Sequence, residues 1–159
     1  MPRLKSQRGQ AVVEFSFIFM LLAMVLFAVV EFSHLFYTRL TVRNSLGEAG
    51  RYAATGQANI DDPQNPGTNL VRPDAIRAVF DRFMIGVVAA DLQSFVINPA
   101  DGGGPGDTVT VTANFNKPFF TGLIGRFFPA IGGCPAAHLC FSMTTTWTNE
   151  PFLTAPPSP

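Results

Sequence analysis

Little of this chain is charged, and it carries few of the residues that catalysis usually needs. Only 14% of its 159 residues are Asp, Glu, Lys or Arg, and they sum to a formal charge of zero. That scarcity argues against a broad basic surface for nucleic acid. Histidine occurs twice, at His34 and His138, and no G-x-S-x-G nucleophile motif accompanies them. The glycine-rich "DGGGPGD" (101–107) lacks the G-K-[ST] of a phosphate loop. Nor does it have the alternating acids and closing glutamate of a calcium loop around Asp101 and Asp107, so it reads as a turn. The two cysteines, Cys134 and Cys140, are spaced C-x5-C and lack a clear fourth ligand even when His138 is counted. Metal binding is therefore disfavoured; a disulfide is expected if this part lies outside the cell, with free thiols as the alternative. No enzyme activity, cofactor or metal is expected, and no internal repeat is present.

Hydrophobic residues, by contrast, make up 47% of the chain and are unevenly placed. Arg3, Lys5 and Arg8 precede "FSFIFMLLAMVLFAVV", Phe15 to Val30, sixteen residues without a charge. Counted from Ala11, the run is twenty residues interrupted only by Glu14, long enough to cross a bilayer. A basic leader before an apolar run has three readings. A cleaved secretory signal fits poorly, because the run is long and no A-x-A-like site closes it. A signal anchor fits, and so does a leader removed ahead of a run that stays in the mature chain. Three basic residues in the leader, against the interspersed Arg39, Arg43 and Arg51 beyond the span, favour a cytoplasmic N-terminus.

No proline falls between Glu31 and Thr55, and helix-compatible residues continue. Leu35, Val42, Leu46, Ala49 and Ala53 form an apolar stripe on one helical face, and Gly56 stands at an expected stop. A helix from Gln10 to Thr55 would be about 70 Å long, with bending or fraying expected near Gly47 and Gly50. Residues 57–72 read as loop. Pro73 opens a second amphipathic helix on which Ile76, Val79, Phe80, Phe83 and Val87 recur. "SFVIN" (94–98), "DTVTVTANF" (107–115) and "CFSMTTTWTN" (140–149) read as strands, the first two as a hairpin around "PADGGGPG". The fold class is thus α+β. A long N-terminal transmembrane helix (10–56) follows the leader (1–9). It leads into a small exported domain (57–150) with a second helix and a short antiparallel sheet. A proline-rich tail (151–159) closes the chain. "PFFTGLIGRFFP" (118–129) is strongly apolar with one charge, Arg126. It either covers the sheet as core or forms an exposed patch that docks a partner or rests on membrane.

Glu14 is the costly residue, since an ionised group at the centre of a bilayer costs roughly 2.5–3.5 kcal/mol on insertion scales, less near an edge. If a peptidase cuts between Gly9 and Gln10, Gln10 gains an α-amino group one helical turn from Glu14. The pairing could lie within a subunit or reach across to a neighbour's Glu14, which would make docking register-dependent. The simpler alternative is an anchor whose acid snorkels to the interface. Cyclisation of an N-terminal Gln10 would abolish the amine. Glu31, at the far end of the run, either meets a partner's cation or rests as an ordinary carboxylate at the headgroup boundary.

The basic leader, "GQAVVEF" and the unbroken apolar helix together resemble the type IV pilin class, in which a prepilin peptidase cuts after glycine and the fifth mature residue is glutamate. Glu14 followed by Phe15 resembles the Tad (Flp) subclass. "VVEFSHLFYTRLTVRNSLGEAGRYAATG", and more weakly "PGDTVTVTANF" and "FSMTTTWTNEP", are similar to TadE-like pseudopilins. "GEAG" departs from the family's common "REGA". The resemblance implies cleavage at Gly9–Gln10 and a docking role for Glu14 and Phe15. It implies a bacterial inner-membrane location and a minor, initiating or tip role in a Tad pilus. Implied partners are a prepilin peptidase, the major Flp pilin, a sister TadE/TadF-like pseudopilin, the inner-membrane assembly platform and membrane lipid. The rival reading is an uncleaved, single-pass anchor presenting a binding domain.

Overall fold

In a computed structural model, residues 8–56, 60–64, 66–126, 129–130 and 132–151 are described. Helix α1 runs unbroken from Arg8 to Ala54, 47 residues, and Gly56 closes it with φ 68°, a left-handed conformation that glycine adopts without Cβ strain. Helix α2 (Arg72–Phe83) starts with proline in its first turn and packs antiparallel to the far half of α1. Strands β1 (Leu92–Asn98), β2 (Thr108–Pro118) and β3 (His138–Thr148) form an antiparallel sheet in the order β1-β2-β3. A four-residue helix, α3 (Gly122–Gly125), lies between β2 and β3. The expected α+β architecture is the one found.

Both helices lie on one face of the sheet. The α1 stripe contributes Val42, Leu46, Ala49 and Ala53 to the core, and α2 contributes Ala75, Ile76, Val79 and Phe80. Period-two alternation in β2 turns Val109, Val111, Ala113 and Phe115 inward. In register with them stand Trp147, Thr145, Met143 and Phe141 of β3. The outward residues are polar and pair across strands: Thr110 with Thr146 at 3.2 Å, Thr112 with Thr144 at 3.1 Å, and Asn114 donating to Ser94 at 2.8 Å. Such a sheet, apolar on one side only, needs just one covering layer.

Lys117 shares the inward parity of β2 and would be stranded by it. Its Nζ meets Asp91 Oδ2 at 2.6 Å, with both side chains nearly fully buried. At the opposite end Arg72 donates to the carbonyls of Ala53 (2.9 Å) and Gly103 (2.8 Å), joining the end of α1, the start of α2 and the β1–β2 turn. Burial lowers the Arg72 guanidinium pKa from its ordinary value, with Asp101 acting the other way; it remains charged.

Helix α1 continues without a break through both glycines, and the two differ in what surrounds them. A Cβ on Gly50 would stand 3.0 Å from the Trp147 ring, whereas one on Gly47 would meet nothing within 4 Å. Gly50 therefore permits the approach of β3, and Gly47 serves no contact within the chain. Gly50→Val should cost about 1–3 kcal/mol through overpacking, while Gly47→Ala should add up to about 1 kcal/mol. Urea unfolding of the full chain in detergent, followed by Trp147 fluorescence, measures both.

Candidate assembly and anchoring site

The apolar run forms the first half of α1. This helix contains a window of mean hydropathy 2.6, none of it buried inside the chain, long and apolar enough to cross a membrane. The exposed side chains include Val12, Phe15, Phe19, Leu22, Leu26 and Val30, so this half leaves its hydrophobic surface entirely to its surroundings. It is a candidate membrane anchor, and the globular part begins where it ends.

At the N-terminal end, Gln10 Nε2 donates to Glu14 Oε1 at 3.0 Å. The i, i+4 spacing brings these two residues onto one face, and both are exposed. Phe15 is exposed and stacks on Phe19 with ring centroids 6.1 Å apart. Gly9 lies in the first turn of the same helix, where a Cβ would meet nothing within 4 Å. This contact is thus between a neutral amide and a carboxylate, on an exposed part of the helix.

At the other end of the run lies the feature that sequence reasoning missed. Glu31 is neither solvated nor aimed outward: it is 1% exposed. Its Oε1 accepts from Phe120 N–H at 2.6 Å, and its Oε2 accepts from both Thr121 N–H and Thr121 Oγ1 at 2.8 Å. Three donors from a segment about ninety residues away satisfy one buried acid, as such burial demands. The bonds fix the stretch that leads into α3 against the base of α1. His34, one turn along, packs its ring on Phe120 with centroids 5.6 Å apart. Tyr37 Oη donates to Ile85 O at 3.0 Å, fixing the loop after α2 to the same part of α1. Glu31 marks where the anchor becomes the domain.

The structure joins Cys134 to Cys140 in a disulfide with Cα atoms 5.7 Å apart, tying the start of β3 to the loop before it. Cys140 lies within β3 rather than in a loop. Asp101 and Asp107 accept from the backbone N–H groups of Gly103 (3.0 Å) and Gly104 (2.6 Å), closing the turn between β1 and β2. Among the described residues no group of His, Cys, Asp and Glu is arranged to hold a metal ion. Phe127 and Phe128 of the apolar segment lie outside the described residues, while Phe120 is 69% exposed and so is not sheet core.

Residues 9–51 match the family model described as TadE-like protein. Over that stretch the chain is similar to TadE-like proteins. The match begins at Gly9 and ends inside the core-forming stripe of α1, so it covers the candidate anchor and most of the stem. It leaves α2 and the sheet outside its bounds. No curated protein and no solved structure matches significantly.

Replacing Glu31 with alanine strands three donors at a buried position. Glu31→Ala should cost about 2–3 kcal/mol, and Glu31→Gln less, because one amide oxygen can still accept. Hydrogen exchange of the Phe120 and Thr121 amides, fast in Glu31→Ala and slow in the wild type, checks the assignment directly.

Proposed function

We propose that this chain is a minor pseudopilin of a Tad pilus, matured by a prepilin peptidase that cuts between Gly9 and Gln10. The observation that carries the reading is the start of the TadE-like match at Gly9, one residue before the helix face shared by Gln10 and Glu14. Removal of the basic leader leaves a new α-amine at the mouth of the apolar helix. That cation offers Glu14 a stronger partner than the Gln10 side-chain amide, since it adds the attraction of opposite charges to a hydrogen bond. When the amine belongs to a neighbouring subunit, the pair forms only in the correct axial register, and Phe15 sits beside it on the exposed helix. The role is assembly rather than turnover, as an initiating, tip or minor subunit.

In this reading the N-terminus faces the cytoplasm and the globular part lies across the inner membrane. The partners are the prepilin peptidase, the major pilin, a sister pseudopilin and the assembly platform. The chemistry of Gln10 adds one condition. Cyclisation to pyroglutamate consumes both the α-amine and the side-chain amide that bonds Glu14 in the intact chain. A cyclised terminus would thus leave Glu14 with neither partner.

Intact mass and N-terminal sequencing of membrane-extracted protein, produced with and without the peptidase, test the maturation. A start at Gln10 only when the peptidase is present is expected; retention of Met1 or Pro2 in both samples would mean an uncleaved anchored domain instead. Glu14→Ala should be cleaved normally yet abolish pilus assembly by electron microscopy of the host. Normal piliation in that mutant removes Glu14 from docking.

A further inference from the structure

The two ends of the globular part differ sharply in polarity. α2 descends α1, β1 ascends, β2 descends and β3 ascends, so the loops at 84–91 and 118–138 meet at the end nearest the apolar run. The loops at 55–71 and 99–107 meet at the far end. The far loops carry Asp61, Asp62, Asp101 and Asp107 and abundant Asn, Gln and Gly. The near loops read "MIGVVAAD" and "PFFTGLIGRFFPAIGGCPAAH", with Asp91 and Arg126 as their charged residues. Asp91 is buried against Lys117, which leaves Arg126 as the exposed charge among the described residues of the near loops. Loops are ordinarily the polar surface of a domain, yet Ile85 is 70%, Phe120 69% and Val88 57% exposed here.

Their height is fixed by α1. The run from Ala11 to Val30 is about 30 Å long at 1.5 Å per residue, the thickness of a hydrocarbon core. Glu31 is the next residue, and its carboxylate holds the backbone of Phe120 and Thr121. Tyr37, two turns further on, holds Ile85. The exposed apolar side chains are therefore tied to the helix at the level where a bilayer interface falls.

We propose that this near rim seats on the lipid interface, with Phe120, Ile85 and Val88 entering the headgroup–acyl boundary and Arg126 facing anionic headgroups. The occupant is lipid rather than protein for two reasons. The patch is continuous with the candidate membrane helix, and its single exposed charge is basic, suited to acidic phospholipid. Glu31 acts as a spacer: by binding the rim to α1 it sets how deep the domain sits, and its own carboxylate is removed from the lipid by three donors. The inference rests on the membrane-anchor reading of α1 and not on the pilus role.

Tryptophan quenching tests it. The full chain is placed in bilayers of phosphatidylethanolamine and phosphatidylglycerol whose acyl chains carry bromine. Native Trp147, the only tryptophan, packs beside Gly50 and so stands about 28 Å beyond Glu31 along α1; it serves as the unquenched reference. Leu21→Trp reports the span itself. Phe120→Trp and Ile85→Trp, at exposed positions that tolerate a larger ring, report the rim. Added emission from both rim probes should fall at least about twofold in brominated lipid, as for an interfacial aromatic, while the wild-type signal holds. Quenching of Leu21→Trp without quenching of either rim probe overturns the proposal while leaving the anchor intact. Shielding of the rim probes from acrylamide only as protein density rises, without quenching by lipid, would assign the rim to a second copy and also overturn it. Absence of quenching of Leu21→Trp as well would overturn the anchor reading on which the proposal stands.

Discussion

One continuous helix has to satisfy two different surroundings, and the rest of the molecule follows from how it does so. The first half of α1 is apolar on most sides, and its apolar window is not buried among the described residues. The second half is buried along one stripe by α2 and the sheet, while Phe32, Phe36 and Leu40 stay exposed on its other faces. A helix that changes from fully exposed to packed along one side needs a defined crossover. Glu31 stands at that point, where an acid left in lipid would be costly and an acid in water would hold nothing together. Its three hydrogen bonds turn the crossover into a joint.

The joint explains why so small a domain can be held firmly on a stem. Its sheet has three strands and a single covering layer, which by itself gives a modest core. Its two ends are closed by polar networks rather than by more apolar area. At the far end Arg72 links α1, α2 and the β1–β2 turn, Asn149 donates to Gly102 and Gly104, and Glu150 N–H reaches Ala54 O. At the near end Glu31, Tyr37 and the Asp91–Lys117 pair do the same. The apolar stripe of α1 sets the packing, and these networks set the position of the loops along it.

Most of the architecture was legible in the sequence because its periodicities are strong and uninterrupted. The stripe from Val42 to Ala53, the proline-started α2 and the alternating TVTVTANF each carry their own signal, and the observed bounds differ from the expected ones by a few residues. Glu31 was not legible, since a carboxylate at the end of an apolar run has an adequate explanation without any partner, and its donors lie about ninety residues away. Lys117 left a readable trace: it continues the inward parity of Val109 through Phe115, so it had to be buried and had to find an acid. The need for glycine at position 50 is visible only once Trp147 is seen against it. Backbone periodicity can be read from one segment, whereas a buried polar contact needs both partners placed.

The two carboxylates that bracket the apolar run then stand in different states. Glu31 is saturated inside its own subunit, with both oxygens engaged and almost no surface left. Glu14 has a single neutral amide from a neighbouring turn and is otherwise open. In lipid that is an incomplete solvation shell for an acid, and the chain offers no further donor near it among the described residues. A free subunit in the proposed reading is therefore finished at the domain end of its helix and unfinished at the leader end. In that reading the missing interaction is one that cleavage would create and a neighbour would supply, which would couple maturation to assembly through the electrostatics of a single side chain.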